Sequence, residues 1–427
     1  MLTHPTRLPG ICVAVLLFCA VQAFAYDYPF PNPLVATVVN TPAEYAAQLP
    51  ADLPVKTATL QMFPDREVPG ILWNLDELGY SYIRQKGAAP LVFLVAGTGA
   101  SHQSPKMQIM QKAFYQAGFH VVSISSPTHP NFIVAASTSG VPGNLEEDAA
   151  DLYAVMQTIW QSLQDKMEAT SFNLAGYSLG AAQSAFVARL DEERKAFNFR
   201  KVLLINPPLN LYNSVKLLDA MLEENIPGGP DKFADSYDRL ISRFAEAYAL
   251  GERVEFNNQF LYSTYKYKRP ESDQGLNVLV GLDFRLSSQN MAFASDVMTK
   301  AGYVVPADLE LGRHDRVTQY AKVLSRLSFE DYFEGIFMPH FKAMNPALTE
   351  ADMIERMSLR TLEDYLRTSP KFGLIHNADD IIMLPGEVDY LRQVFGDRAR
   401  IFPHGGHCGN MSYPDNVAAM TSFFQKN

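Results

Sequence analysis

Cysteine and positive charge are both scarce in this chain of 427 residues. There are three cysteines, and 36 lysines and arginines stand against 46 aspartates and glutamates, for a net charge of −10. This charge gives no electrostatic support to nucleic-acid binding, so we expect no nucleic-acid partner. Cys12 and Cys19 lie in an N-terminal segment that we expect to be removed, which leaves Cys408 alone. The fold must then be held by its hydrophobic core, without an intramolecular disulfide.

Residues 1–25 have the features of a secretory signal peptide. Arg7 supplies a positive charge, residues 11–21 form an apolar run, and Ala23-Phe24-Ala25 matches the small-x-small cleavage signal. We predict cleavage near Ala25, which would make the protein secreted or periplasmic. The alternative is an uncleaved N-terminal membrane anchor. Long apolar runs are lacking elsewhere, so we expect no integral membrane segment in the mature chain.

Strand-like and helix-like patterns alternate in two separate parts of the chain. Residues 26–54, rich in proline and small residues, are predicted to form an extended N-terminal arm. The alternation begins at residue 55, runs to residue 208 and returns over residues 371–427. Continuous apolar runs such as residues 91–95 indicate strands buried on both faces. The pattern over 55–208 and 371–427 therefore predicts an α/β fold with a mostly parallel central sheet flanked by helices.

Residues 209–370 break this alternation and have mainly helical patterns. One apolar stripe covers residues 233–244, and Thr349 with Asp352 three residues later predicts the start of another helix. We interpret this block as a large helical cap inserted between strands 6 and 7, with an independent second domain as the alternative. Aromatic residues are dense at 260–267, and we hypothesise that part of the aromatic surface of this block lines a substrate pocket.

The most informative motif is Gly-Tyr-Ser-Leu-Gly at residues 176–180. It follows a strand-like run at 171–175 and precedes a helix-like run at 181–188. Strand, glycine-flanked serine and helix is the context that a nucleophile elbow requires. The flanking glycines fit this interpretation because a Cβ at either position would collide with the neighbouring strand or helix. We therefore predict that Ser178 is a nucleophile.

A serine nucleophile needs a base, and the base needs an acid that orients it. Asp379 and Asp380 follow the seventh predicted strand, and His404 and His407 follow the eighth. The order serine, aspartate, histidine along the chain resembles that of the α/β-hydrolase superfamily. The resemblance covers about residues 55–207 and 371–426. It includes the elbow and the Gly-Gly-His sequence that ends at His407.

The resemblance implies a role for each of these residues. Asp380 is expected to be the acid, with Asp379 as the alternative, and His407 is preferred to His404 as the base. Backbone N–H groups of Leu179 and Thr98 are expected to form the oxyanion hole. The loop that contains Thr98 departs from the family pattern, because Ala96 stands where a histidine is usual.

These residues predict an exported serine hydrolase that cleaves an acyl ester through an acyl-enzyme, as a carboxylesterase or lipase would. The substrate would be a small-molecule or lipid acyl compound, and no metal or organic cofactor is needed for this chemistry. A peptidase, an amidase or a thioesterase on the same fold is an alternative. A non-catalytic binding protein with the same fold is another.

Overall fold

The computed structural model of the protein describes residues 26–229, 232 and 272–425. The predicted signal peptide, the apolar stripe at 233–244 and the aromatic segment at 260–267 lie outside the described residues. Among the residues that are described, no helix combines the length and the apolar character needed to cross a bilayer.

A single eight-stranded sheet forms the centre of the described structure. Its strands are β1 (Lys56–Leu60), β2 (Leu78–Ile83), β3 (Ala89–Val95), β4 (His120–Ile124), β5 (Ala169–Tyr177), β6 (Lys201–Ile205), β7 (Phe372–Asn377) and β8 (Ala399–Phe402). They lie in the order β1-β2-β4-β3-β5-β6-β7-β8. β2 runs antiparallel to both of its neighbours, and all other pairs are parallel. The predicted mostly parallel sheet is confirmed.

The register of the parallel strands brings their carboxyl ends to one edge of the sheet. Val95 at the end of β3 pairs with Ile124 of β4 on one side and Gly176 of β5 on the other. Ile205 at the end of β6 pairs with Tyr177 and Ile375. The loops after β3, β5, β7 and β8, which carry the predicted site residues, therefore leave the sheet at the same edge.

Helices cover both faces of the sheet. The α-helices among the described residues are α1 (Pro33–Val39), α2 (Pro105–Gln116), α3 (Pro130–Ala135), α4 (Leu145–Leu163), α5 (Leu179–Arg194), α6 (Leu211–Glu223), α7 (Asp273–Thr299), α8 (Thr318–Leu324), α9 (Phe329–Tyr332), α10 (Met338–Met344), α11 (Glu350–Arg356), α12 (Glu363–Thr368), α13 (Glu387–Phe395) and α14 (Pro414–Gln425). Burial is nearly complete for the residues of β3 and β4, as their apolar sequences predict.

The described part of the segment between β6 and β7 contains helices α6 to α12 and no strand, with loops such as residues 300–317 between the helices. α7 packs so closely along α6 that only a glycine fits at position 281. A Cβ on Gly281 would lie 2.6 Å from the backbone nitrogen of Leu222. Arg285 of α7 is buried and forms ion pairs with Asp219 at 2.9 Å and Glu223 at 2.8 Å. α6 and α7 are therefore fixed to each other by close backbone contact and by charge. The predicted domain limits at residues 209 and 370 stay a prediction.

The N-terminal arm differs in part from the extended segment that we predicted. Residues Pro33–Val39 form α1, because Asn32 accepts hydrogen bonds from the backbone N–H groups of Leu34 and Val35 and a proline occupies the first helical position. Composition rich in proline and small residues suggested an extended chain, but an Asn-Pro pair is also a helix start. The arm packs against the loop after β8, through contacts described below.

Candidate active site

Ser178 lies at the sharp turn between the end of β5 and the start of α5. Its backbone has φ 53° and ψ −129°, a region that residues with a Cβ rarely adopt. The Ser178 N–H donates to the carbonyl of Ile205 on the neighbouring strand at 2.9 Å, which helps to hold this geometry. The turn therefore has the strained strand-to-helix form of a nucleophile elbow.

The glycines on either side of Ser178 are required by close backbone contacts. A Cβ on Gly176 would lie 2.2 Å from the carbonyl oxygen of Gly180, and one on Gly180 would lie 2.4 Å from the carbonyl oxygens of Ala96 and Val95. Both distances are far below van der Waals contact. The steric reason that we gave for the two glycines is confirmed by these distances.

His407 reaches Ser178 from the loop that follows β8. Its Nε2 lies 2.9 Å from the Ser178 Oγ, and its Nδ1 lies 3.0 and 3.1 Å from the two carboxylate oxygens of Asp380. The three side chains form one hydrogen-bonded chain from hydroxyl to imidazole to carboxylate. His404 is not part of it, because its ring lies 3.8 Å from Asp379 and its side chain is 46% exposed.

The two adjacent aspartates occupy different environments. Asp380 has a fully buried side chain and also accepts from Asn206 Nδ2 at 2.8 Å and from the Ile382 N–H at 3.2 Å. Burial opposes its charge, but His407, His376 and the Asn206 side chain outweigh burial and lower its pKa below the usual range. Asp379 instead accepts from the N–H groups of Gly405 and Gly406 at 3.2 and 2.9 Å. It therefore holds the loop that carries His407.

The electrostatic interaction between Asp380 and His407 favours the protonated form of the His407 imidazole. Burial alone would lower the pKa of His407, but the adjacent Asp380 carboxylate outweighs burial and holds this pKa well above its usual range. The imidazolium that would form when His407 accepts the proton of Ser178 is thus stabilised by a buried negative charge. Cys408 follows His407 and is buried, with its sulfur 3.9 Å from the His407 Nε2.

The loop that carries His407 is fixed by the N-terminal arm, a contribution that sequence analysis missed. The His407 N–H donates to the Thr37 Oγ1 of α1 at 2.8 Å, and a Cβ on Gly406 would lie 2.2 Å from the Pro33 carbonyl oxygen. The hydroxyl of Tyr26 donates to the His404 carbonyl at 2.7 Å. The Asn-Pro helix start was the only sequence signal, and it gave no indication of what α1 packs against.

The predicted oxyanion donors lie beside Ser178. Leu179 is the first residue of α5, so its N–H has no carbonyl partner within the helix. Gly97, which precedes Thr98 in the loop after β3, approaches the elbow so closely that a Cβ on it would lie 3.0 Å from the Ser178 Cβ. Thr98 lines the same cavity as Ser178. The positions suit an oxyanion hole, and the roles of Thr98 and Leu179 stay a prediction.

A cavity of about 780 Å³ opens over Ser178 and His407. Helices of the β6–β7 segment supply part of its wall, through Leu218 of α6 and Val280 and Phe284 of α7. A volume of this size accommodates a small organic substrate, as the known range of ligand pockets indicates. Phe284 gives this wall an aromatic surface, while the predicted aromatic segment at 260–267 lies outside the described residues.

Among the described residues, no cluster of three or more His, Cys, Asp or Glu side chains could hold a metal ion.

Comparison with known proteins gives structural likenesses at low sequence identity. A fungal esterase from Rhizomucor miehei is 12% identical over 88% of this chain and 84% of that one, with a TM-score of 0.42. An esterase from Pyrococcus furiosus is 13% identical over 91% and 97%, with a TM-score of 0.40. The thioesterase domain from the curacin biosynthetic pathway is 12% identical over 87% and 100%, with a TM-score of 0.38. No protein-family model matches the chain, and a search of curated proteins gives no match.

The chain's own architecture carries the assignment of its fold. The sheet is parallel except at β2, the helices lie on both faces, and a strained serine turn joins β5 to α5 at the carboxyl edge of the sheet. By its strand order, its strand directions and this turn, the protein has the α/β-hydrolase fold, as the sequence resemblance implies.

Proposed function

We propose that the protein is a serine hydrolase that cleaves an acyl ester, with Ser178 as nucleophile, His407 as base and Asp380 as the acid that orients it. The observation that carries this proposal is the continuous hydrogen-bonded chain from the Ser178 Oγ through His407 to Asp380. A serine hydroxyl is a weak nucleophile unless a base lies within hydrogen-bond reach, and 2.9 Å is such a distance.

Each step of the proposed reaction has a group of this chain to perform it. The Ser178 Oγ attacks the ester carbonyl while its proton passes to the His407 Nε2, and Asp380 stabilises the resulting imidazolium. The N–H groups of Thr98 and Leu179 donate to the oxyanion of the tetrahedral intermediate. His407 then returns the proton to the leaving alcohol. Water, activated by the same histidine, hydrolyses the acyl-enzyme and releases the acid.

The apolar part of the cavity supports an acyl compound as substrate. Val280 and Phe284 of α7 and Ile381 and Ile382 of the loop after β7 lie in the wall of the cavity that contains Ser178. Burial of a hydrocarbon chain against such a surface is favourable by about 25 cal/mol for each Å² removed from water. This surface supports a carboxylesterase or lipase that binds the acyl group next to the nucleophile.

Labelling of the purified protein by a fluorophosphonate probe tests the nucleophile. We expect covalent labelling of the parent protein and none of Ser178→Ala, and a turnover of 4-nitrophenyl esters at least about three orders of magnitude lower in the variant. Competition with the probe by graded esters, thioesters and amides then distinguishes an esterase from a thioesterase, amidase or peptidase. If neither protein is labelled and both hydrolyse no substrate, a non-catalytic binding protein is the correct interpretation.

We also propose that the protein is exported and that cleavage near Ala25 produces its mature form. The apolar run at residues 11–21 and the Ala-Phe-Ala sequence at 23–25 support this proposal. N-terminal sequencing of the protein recovered from the cell envelope and the medium tests it. A mature chain that starts at Tyr26 is expected, and an intact N-terminus in the membrane fraction would instead indicate an anchor.

A further inference from the structure

A buried lysine lies in the wall of the cavity and has no part in the proposed mechanism. Lys106 is the second residue of α2, its side chain is 8% exposed, and it lines the same cavity as Ser178 and His407. Within the part of the chain that the structure describes, the ammonium group of Lys106 forms no hydrogen bond and no ion pair. An ammonium group on a side chain that is mostly buried is poorly solvated, so an acceptor bound in the cavity that Lys106 lines would stabilise it.

Two side chains of the same cavity, Cys408 and Asp283, act electrostatically on Lys106, and Asp283 is the carboxylate of the pair. Asp283 of α7 lines the cavity as well, and its negative charge favours the protonated form of Lys106 without an ion pair between them. Burial lowers the pKa of Lys106 and raises that of Asp283 to about 6, and each residue opposes the shift of the other. Asp283 thus helps to keep Lys106 charged but leaves its three N–H donors without a close acceptor.

The start of α2 adds a second positive element at this place. α2 has twelve residues, has no acidic residue in its first turn, and its N-cap residue Ser104 makes no capping hydrogen bond through its side chain. Ser104 and Pro105 line the cavity together with Lys106, so the N-terminal end of the helix faces it. N–H groups at a helix N-terminus favour a negative charge, and the buried cation of Lys106 acts in the same direction.

We propose that Lys106 and the first turn of α2 bind an anionic group of the substrate, a carboxylate, at a distance from the bond that is cleaved. This proposal rests on the serine hydrolase function proposed above and deepens it. The hydrolase would act on esters whose acyl part ends in a carboxylate, with the hydrocarbon between the two ends against Phe284 and Val280. The cavity of about 780 Å³ holds both the reacting ester and such a second group.

Two substrates that differ only in the terminal group test this proposal. Mono(4-nitrophenyl) glutarate and 4-nitrophenyl pentanoate have the same leaving group and acyl length, and only the glutarate carries a carboxylate. The measured quantity is the ratio of kcat/KM for the charged ester to that for the neutral ester. A hydrogen bond to a charged group predicts that Lys106→Met lowers this ratio by at least about tenfold. Asp283→Asn should raise the ratio, because it removes a negative charge from the wall of the same cavity.

Lys86→Met is the matched control. Lys86 is exposed in the loop between β2 and β3, at the opposite edge of the sheet from Ser178, and its loss changes the net charge by the same amount. We expect the ratio in this variant to stay within about twofold of the parent value. Thermal unfolding establishes whether each variant is folded. If Lys106→Met does not fold, Asp283→Asn provides an independent test.

The outcomes separate this proposal from the function on which it rests. If the protein hydrolyses both esters and Lys106→Met leaves the ratio unchanged, the anion site is refuted while the hydrolase stands. If the parent hydrolyses neither ester, the hydrolase proposal fails, and glutarate alone is then added during thermal unfolding. A rise in Tm with glutarate in the parent but not in Lys106→Met would still support the anion site, and no rise in either would overturn it.

Discussion

The hydroxyl of Thr37 offers a sharp test of how the N-terminal arm contributes to the site. This hydroxyl accepts from the His407 N–H at 2.8 Å and donates to the Pro33 carbonyl at 2.7 Å. Thr37→Val keeps the shape of the side chain but leaves the His407 N–H without its acceptor. A partly buried N–H that loses its partner costs about 1–3 kcal/mol. We therefore expect a lower free energy of unfolding by about that amount.

Activity should fall as well, because the lost hydrogen bond is on the backbone of the proposed base. We expect kcat on a 4-nitrophenyl ester to fall by about tenfold, with little change in KM, since a small displacement of a catalytic group mainly affects the chemical step. Thr37→Ser retains the hydroxyl and should keep nearly full activity. Urea unfolding and steady-state kinetics measure both effects. Equal kcat in Thr37→Val and Thr37→Ser would refute the proposed dependence of His407 on the arm.

The remaining predictions concern the acid, the pH profile and the elbow. Asp380→Asn should lower kcat by about three to four orders of magnitude, whereas Asp379→Asn, which loses only loop contacts, should lower it by less than about tenfold. The proposed mechanism requires neutral His407, so the rate should rise with pH through the raised pKa of that residue. In Asp380→Asn this rise should move to lower pH, because the carboxylate that raises the pKa of His407 is gone. A pH–rate profile that does not move in the variant would contradict the assignment of Asp380. Gly180→Ala places a Cβ 2.4 Å from two carbonyl oxygens and should lower stability by about 3 kcal/mol or abolish folding, as urea unfolding would show.

Local patterns were enough to predict the sheet and the elbow. Apolar runs such as residues 91–95 and the strand–serine–helix sequence around Ser178 depend on neighbours along the chain, and β3, β5 and α5 occupy the expected positions. The helix start at Thr349 is also confirmed, with the reciprocal hydrogen bonds to Asp352 in place. Such features are set by backbone geometry over a few residues, which a sequence contains directly.

Features that depend on contacts between distant segments could not be predicted in the same way. Asp379 and Asp380 are adjacent in sequence, and only the direction of the turn after β7 brings Asp380 to His407 and Asp379 to the Gly405 N–H. The support of His407 by Thr37 joins residues 370 positions apart. Lys106 of α2 and Asp283 of α7 line one cavity although they lie far apart along the chain.

The hydrogen bond between Thr37 and His407 has a thermodynamic consequence for the arm itself. If docking of α1 favours the arrangement of His407 that binds substrate, then a ligand bound at Ser178 must favour the docked arm by the same free energy. Tyr26 also contacts the core of the fold, where its ring stacks on Phe402 with 5.0 Å between centroids. Docking of the N-terminal arm and binding of a ligand at Ser178 are therefore expected to be linked equilibria. A phosphonylated protein should release its arm to a protease more slowly than the unmodified protein does.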